Sequence, residues 1–185
     1  MHSKNRCDWC LNDADYIHYH DTEWGKPEHD DQKIFEMIVL ESAQAGLSWL
    51  TILKRRESYR NAFDNFNANT VAGWNFDKEW PRIEQSGIIR NVKKTQSAIG
   101  NAQSFLNVQD EFDGFHNYLW QFVDHQPIIN RPNTVNEIPA HTPLSDAIAK
   151  DMKRRGFTFW GTTICYAWLQ ALGVVNDHIA SCDFQ

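Results

Sequence analysis

Apolar residues recur at helical spacing through most of this chain, and segments of strict apolar–polar alternation are almost absent. The clearest stripe is formed by Ile34, Phe35, Ile38 and Val39. An acidic segment, residues 28–31, precedes it, so the pattern predicts a helix that begins there and ends at about Ala45. The fold class predicted from these patterns is all-α, in a single domain over residues 1–185.

A glycine break follows this helix. Ala45-Gly46-Leu47 interrupts the apolar pattern, and Ser48 is a typical N-cap residue. A second helix is therefore predicted from Ser48 to about Phe63. Glu41 ends the apolar run of the first helix. It is either a solvated side chain at an ordinary helical corner or a carboxylate with a chemical role.

Caps, prolines and glycines divide the rest of the chain. Helices are predicted after a cap at Asn69-Thr70, over residues 78–86 with Pro81 in the first turn, from Arg90 to about Asn107, over residues 115–123, from a cap at Ser145 to Gly156, and from Thr162 or Thr163 to Gly173. The segment 125–144 holds four of the six prolines, which predicts an ordered loop across the surface.

The net charge of −6 at first argues against a nucleic-acid partner, but its distribution changes that picture. Residues 1–41 hold ten acidic and four basic residues, and the remainder holds fourteen of each. Within this neutral part the cations cluster at Lys54-Arg55-Arg56, Lys93-Lys94 and Lys153-Arg154-Arg155. Such patches can hold a phosphate backbone with salt-sensitive affinity.

The chain has no apolar run of about 18 residues and no signal-peptide core in its first ten residues, so we expect a cytoplasmic protein with no membrane partner. In that compartment cysteines indicate metal binding or buried packing rather than disulfides. Cys165 lies within an apolar segment and is expected in the core.

Cysteine and histidine are concentrated at both ends of the chain. Cys7 and His20 lie near the start, and His178 and Cys182 lie four residues apart near the end. On a helix the latter pair would share one face. Two Cys and two His can form a closed, structural zinc site that joins the chain ends, whereas the alternative is four unrelated residues. The rival ligands from the first segment are Cys10 and His18.

Two further groups of residues suggest binding to nucleic acid. Residues 78–107 read as helix, Gly87 turn and helix, with Lys93-Lys94 at the start of the second helix, where exposed N–H groups favour a phosphate. An ordinary helical corner is the alternative. The aromatic residues that could surround a flat, cationic heterocycle beside Glu41 are Trp9, Tyr16, Tyr19, Trp24 and Trp49. Their alternative place is the core.

Taken together, these motifs closely resemble the 3-methyladenine DNA glycosylase I family of the helix–hairpin–helix DNA glycosylase superfamily. The resemblance covers almost the whole chain. It rests on Cys7-Asp8-Trp9, Tyr16–Asp21, Glu23-Trp24-Gly25, Phe35–Arg56, Ser86–Arg90, Arg155-Gly156-Phe157, Gly161–Tyr166 and Asn176-Asp177-His178.

The resemblance implies a helix–hairpin–helix fold over about 78–107, and one structural Zn²⁺ held by a clasp of 7–20 and 178–182. Its ligands would be Cys7, His20, His178 and Cys182. The resemblance also implies that Glu41 binds the base among Tyr16, Tyr19 and Trp49, with Trp9 and Trp24 nearby. The residues expected to contact DNA are Gly46 and Leu47, which would fill the gap left by the extruded nucleotide, and Gly87, Lys93 and Lys94.

The activity implied is excision of 3-methyladenine from alkylated double-stranded DNA by a monomeric, monofunctional glycosylase, with the free base as product. N3-methylation makes the base cationic and a good leaving group, so a strong general base is less necessary. The superfamily's usual aspartate has no counterpart in this family's pattern, and we read Asp110 and Asp113 as solvated. The alternatives are a zinc-stabilised, non-catalytic nucleic-acid-binding module, and a zinc hydrolase, which four protein ligands disfavour.

Overall fold

The computed structural model describes residues 4–185, which fold mainly into α-helices. The helices are α1 (Ala14–Thr22), α2 (Asp31–Gln44), α3 (Trp49–Leu53), α4 (Arg56–Ala62), α5 (Ala68–Ala72), α6 (Phe76–Ile83), α7 (Val92–Phe112), α8 (Phe115–Trp120), α9 (Pro143–Arg154) and α10 (Thr162–Ala171). Single 3₁₀ turns lie at Asp8–Cys10, Asp64–Phe66, Gln121–Val123 and Val135–Glu137. The all-α class predicted from the sequence is confirmed.

The central element is α2. Its N-cap, Asp30, accepts hydrogen bonds from the backbone N–H groups of Gln32 and Lys33. Residues 34–43 are all buried, a wider surface than the predicted stripe, because α3, α4, α7, α8 and α10 pack around the helix. The side chain of Phe35 meets Phe105 of α7, whose ring in turn stacks on Phe115 of α8 at 4.3 Å.

The predicted second helix is two helices. Ser48 caps α3 as expected, with its hydroxyl accepting from the Thr51 N–H. The helix then breaks at residues 54–55 before α4 begins at Arg56. The Arg56 side chain is mostly buried and donates to Glu36 at 2.6 Å and to both carboxylate oxygens of Glu23 at 2.8 Å. Since these carboxylates hold its guanidinium inside the protein, Arg56 does not belong to an exposed basic patch.

The hairpin between α6 and α7 differs from its predicted bounds. Asn75 caps α6 three residues before the predicted start, so Pro81 lies in the body of the helix rather than in its first turn. Proline has no N–H, so Pro81 makes no hydrogen bond to the Asp77 oxygen, and α6 ends at Ile83. Asn91 caps α7, which continues past the predicted end to Phe112. The stop comes from residues 113–114, both with positive φ.

Two other helices begin at caps two or three residues before the predicted ones. Asn67, not Asn69-Thr70, caps α5. Thr142 caps α9, where Ser145 occupies the third position of a reciprocal capping box and Pro143 the first. Helix α1 was not predicted, because its clustered aromatic and histidine residues do not form an apolar stripe.

The C-terminal segment is extended rather than helical. Strand β2 (Val175–Asn176) pairs in parallel with β1 (Ile128–Ile129), with Ile128 opposite Val175. This pairing orders the proline-rich segment 125–144, as predicted. Among residues 4–185, no helix has both the length and the apolar character needed to cross a bilayer.

Candidate functional site

A pocket of about 300 Å³ opens between the C-terminal half of α2 and α10. This is at the small end of the range for ligand pockets. Its lining residues are Trp9, Tyr16, Tyr19, Trp24, Glu41, Gln44, Trp49, Val135, Ile138, Ala167 and Gln170. All five aromatic residues singled out from the sequence lie in this wall together with Glu41.

Three short elements position the aromatic wall. Tyr16 and Tyr19 are one turn apart on α1, which begins at its N-cap Asp13. Trp9, in the first 3₁₀ turn, packs against Tyr16 at 4.8 Å between ring centroids and edge-on against Trp24 at 5.0 Å. These rings therefore pack against one another and also line the pocket. The two alternatives for the aromatic residues, a place in the core and a place in a binding site, are thus compatible.

Trp49 and Tyr19 form the opposite part of the wall. Their ring centroids are 5.4 Å apart with a tilt of 51°. Ser48 starts α3 one residue earlier, so the cap fixes the direction in which Trp49 enters the pocket. The indole Nε1 of Trp49 has no hydrogen-bond partner among residues 4–185.

Glu41 is buried, with 3% of its surface exposed, which rules out the solvated alternative. Its Oε2 has no hydrogen-bond partner within the described part of the chain. Burial raises the pKa of this carboxyl group to about 8, because the charged form loses its hydration. An unpaired, buried carboxyl group at a pocket wall is costly unless a ligand completes it.

The turn after α2 presents an apolar side chain to solvent. Gly46 has φ +80°, a conformation that favours glycine, and Leu47 remains 39% exposed. On the adjoining hairpin, Gly87 has φ +89°. The two predicted DNA-contacting turns therefore both reach the surface in left-handed glycine conformations.

Lys94 connects the hairpin to this turn. Its Nζ donates to the backbone oxygens of Ala43 at 2.8 Å and Ala45 at 2.6 Å. These are carbonyl groups at the end of α2, where a cation is favourable. Lys94 was predicted to hold phosphate, but two of its three N–H donors already bind the protein. Lys93, in contrast, is exposed.

The other predicted basic clusters are largely paired within the protein. Lys54 bonds Asp13 at 2.6 Å. Arg155 bonds Glu111 and Asp151, each at 2.6 Å, and Arg154 also pairs with Asp151. Their charge is mostly compensated locally, so the prediction that these clusters are free phosphate-binding patches is not supported by their contacts.

The four Cys and His residues predicted to hold metal come together. Their ligand atoms lie within 4.8 Å of one another, and all four residues are buried. The Nδ1 atom of His178 is 3.3 Å from Cys182 Sγ and 3.8 Å from Cys7 Sγ, while Cys182 Sγ is 3.6 Å from His20 Nε2. Tetrahedral zinc with two S and two N ligands requires separations of about 3.3–3.8 Å, and these three distances lie in that range, so the group is compatible with such an ion.

The surroundings of the two histidines also fit a metal. His20 Nδ1 donates to Asp21 at 2.9 Å, and His178 Nε2 donates to the Trp24 backbone oxygen at 3.1 Å. Each ring therefore turns its unprotonated nitrogen towards the thiols, an arrangement typical of metal-ligating histidine. Burial lowers the pKa of His178 to about 4, which keeps it neutral.

The rival ligands lie elsewhere. The Cys10 thiol donates to the Cys7 backbone oxygen at 3.1 Å, and His18 is exposed on α1. His178 and Cys182 meet through the turn at residues 180–181 and not on a helix, which corrects the predicted geometry of that pair. Cys165 is buried in α10, as expected.

The Cys/His group supports the pocket directly. Trp24 packs edge-on against His178 at 4.6 Å, and Trp9 packs against His20 at 5.2 Å. Both tryptophans line the pocket. A change in the Cys/His group would therefore shift one side of the aromatic wall.

Five lining residues were not identified from the sequence: Gln44, Val135, Ile138, Ala167 and Gln170. Gln44 lies one turn after Glu41 and could have been found from that spacing. The others belong to the proline-rich segment and to α10, whose approach to α2 is a tertiary contact. The two aspartates near the end of α7, Asp110 and Asp113, are exposed as predicted.

Comparison with known proteins places these features in a family. A family model described as methyladenine glycosylase matches residues 9–185. DNA-3-methyladenine glycosylase 1 of Escherichia coli K12 is 48% identical over 177 residues, covering 96% of this chain and 95% of that protein.

Solved structures agree with this match. A crystal structure of a 3-methyladenine DNA glycosylase I superposes with a TM-score of 0.92 at 48% identity, covering 97% of this chain and 98% of the other. A variant of a 3-methyladenine DNA glycosylase I in complex with 3-methyladenine also gives 0.92, at 30% identity, with 97% and 96% covered.

Proposed function

Because this chain belongs to the methyladenine glycosylase family, we propose that it repairs DNA by hydrolysing the N-glycosidic bond of 3-methyladenine in alkylated duplex DNA. The products are the free base and an abasic site. The observation that carries the proposal is the unpartnered Oε2 of Glu41 in a pocket walled by five aromatic residues. Aromatic faces and a carboxyl group together suit a flat, cationic base.

The base reaches the pocket by leaving the DNA stack. Extrusion costs a few kcal/mol of unstacking and less for a damaged pair, which favours alkylated nucleotides. The exposed Leu47, on the turn formed by Gly46, supports a role in filling the gap in the duplex. The neighbouring hairpin from α6 through Gly87 to α7 supports the helix–hairpin–helix assignment, with phosphate bound at the start of α7 and by Lys93.

Recognition of the base depends on charge. The pKa of Glu41, raised by burial to about 8, keeps the group largely protonated at neutral pH. A cationic base beside it favours the ionised form, which binds N3-methylated adenine more tightly than a neutral purine. The positive charge already weakens the glycosidic bond, so Glu41 acts mainly by binding the base.

The same pocket supports hydrolysis without strand cleavage. A glycosylase with lyase activity requires an amine nucleophile, and the lining residues of the described pocket include no lysine. Lys94, the hairpin lysine closest to α2, is held by the backbone oxygens of Ala43 and Ala45. The enzyme is accordingly proposed to be monofunctional.

The ion that fits the Cys/His group is zinc. Cys7, His20, His178 and Cys182 would fill all four positions of its tetrahedral shell, which leaves no site for a water nucleophile. When bound, zinc supplies a structural cross-link between the chain ends. The proposed reaction takes place in the pocket, and the metal has no part in it.

The test is release of bases from methylated duplex DNA, with abasic sites and strand breaks counted in the same sample. We expect free 3-methyladenine and an equal number of abasic sites, with no breaks beyond those produced by later alkali treatment. A folded protein that binds methylated DNA and the free base but releases none would instead be the non-catalytic binding module.

A further inference from the structure

Gln170 is a polar residue of the pocket wall with no role in the proposal above. It lies on α10, one turn after Ala167, and both residues line the pocket across from Glu41 and Gln44 of α2. The facing helices thus each contribute residues three positions apart. A side-chain amide at this place can read the hydrogen-bonding edge of a base held between the aromatic faces.

A hydrogen bond to Asp177 fixes the orientation of the Gln170 amide. The Asp177 carboxylate is 1% exposed, and Gln170 Nε2 donates to its Oδ2 at 2.7 Å. Tyr166 donates its hydroxyl to the same oxygen at 2.6 Å, and Asn130 donates to Oδ1 at 2.7 Å. Because both oxygens of this carboxyl group accept hydrogen bonds from neighbouring donors, the amide nitrogen of Gln170 and not its oxygen faces Asp177.

This contact uses one of the two Nε2 hydrogens of Gln170 and fixes the position of Oε1, which remains able to accept a hydrogen bond. Within residues 4–185 the side-chain hydrogen bond of Gln170 is the one from Nε2, and Oε1 accepts none. Turning the amide would set its oxygen against the Asp177 oxygens and lose the hydrogen bond from Nε2. Gln170 can therefore offer Oε1 to a base as an acceptor in a fixed orientation. Gln44, whose amide makes no hydrogen bond within the described chain, is free to present either end.

A fixed acceptor selects the bases that carry an N–H donor at that edge. In an adenine nucleotide the donor is the exocyclic amine, which has two hydrogens and can serve Glu41 and Gln170 together. A base with a carbonyl oxygen at the same position would place oxygen against oxygen. We propose that Gln170 is a base-specificity residue that selects amine-bearing over carbonyl-bearing alkylated purines, and that Asp177 is the residue that positions it. This inference rests on the proposed function.

The probes are two free bases, 3-methyladenine and 3-methylhypoxanthine, which carry an amine and a carbonyl oxygen at this position, and the change in preference between variants is the quantity compared. Their dissociation constants can be measured through tryptophan fluorescence, because Trp9, Trp24 and Trp49 line the pocket. Wild-type protein should prefer 3-methyladenine. Gln170→Leu should reduce the preference by about 3- to 10-fold, the value of one hydrogen bond. Gln170→Met serves the same purpose if the first variant does not fold.

Two further variants separate specificity from structure. Asp177→Asn can accept as well as donate, so the Gln170 amide can turn and the preference should also fall, at unchanged metal content. Tyr166→Phe removes another hydrogen bond from Asp177 without touching Gln170 and should keep the wild-type preference. An unchanged preference in the folded Gln170 variants overturns the inference, and an unchanged preference in Asp177→Asn alone overturns the role of Asp177.

The outcome is distinguishable from failure of the proposed function. Wild-type protein that releases no 3-methyladenine from methylated DNA would contradict the glycosylase activity itself. Normal release by wild type, together with equal base preference in wild type and Gln170→Leu, would contradict only the specificity assigned to Gln170.

Discussion

At the scale of single residues, Glu41 shows what the sequence could and could not decide. Its position at the end of an apolar run was visible, but its burial depends on α10 and the N-terminal aromatic residues, which are distant in the chain. The solvated and functional alternatives therefore stayed open until the tertiary contacts were known. The same holds for Gln170, whose orientation depends on Asp177 in a neighbouring strand segment.

The raised pKa of Glu41 makes a pH-dependent stability prediction. The folded protein retains this proton up to about pH 8, whereas the unfolded chain releases it near 4.5. Between these values the folded state binds more protons, so the contribution of Glu41 to stability is lost as the pH rises. Glu41→Gln cannot ionise, so its melting temperature relative to wild type should rise by several degrees between pH 4.5 and 8.5.

Thermal unfolding of the metal-loaded proteins across that range checks this. Asp110→Asn is the matched control, because it neutralises an exposed carboxylate and should show no comparable trend. A melting-temperature difference for Glu41→Gln that stays constant with pH would mean that Glu41 is ionised throughout.

At the scale of elements, local signals set the helix boundaries that were predicted well. Ser48 starts α3 and Gly87 forms the hairpin turn, because both depend on chemistry within a few residues. The break at residues 54–55 was missed because the sequence has no turn signal there. It accompanies the buried ion pairs of Arg56 with Glu23 and Glu36, which are tertiary contacts. Asn67 and Thr142 were missed because nearby residues could also serve as caps.

Lys93 and Lys94 are adjacent in the hairpin, but their replacement should have different effects on stability. Lys93→Ala should weaken binding to any DNA sequence and lower the salt slope by about one unit, with little effect on folding. Lys94→Ala should in addition lower thermal stability, because the Ala43 and Ala45 oxygens lose their partner, a cost of about 1–3 kcal/mol.

Salt titrations of DNA binding and melting curves of both variants separate the two roles. Equal stability of the two variants would show that the Lys94 contacts contribute nothing to the turn after α2. An unchanged salt slope in both would place the phosphate contact elsewhere.

At the scale of the whole molecule, the chain ends are joined and the pocket is built on that junction. Besides the Cys/His group, Asn5 and Asp183 exchange two hydrogen bonds, at 2.8 and 3.1 Å. The Cys and His residues were found from composition because metal ligands have few substitutes. Their packing against Trp9 and Trp24 could not be predicted, since it depends on how the two ends dock.

Loss of one ligand should therefore affect both the fold and the pocket. Cys182→Ala should lower zinc content, melting temperature and affinity for free 3-methyladenine together. Cys10→Ala removes a neighbouring buried thiol that is not in the group and should keep one zinc per chain. Elemental analysis and melting curves check this, and a stable, fully active Cys182→Ala protein without metal would rule out the structural role.

Glu41 is proposed to recognise a cationic base and not to act as a strong catalytic base. The decisive measurement is single-turnover excision of 3-methyladenine from methylated DNA by wild type and Glu41→Gln, with free-base affinity measured alongside. Losing a hydrogen bond to a charged group costs about 1.5–3 kcal/mol, so we predict an excision rate about 10- to 100-fold lower with correspondingly weaker base binding. Removal of a catalytic base would instead lower the excision rate by roughly many thousand-fold. Such a loss, with base affinity intact, would contradict the recognition role.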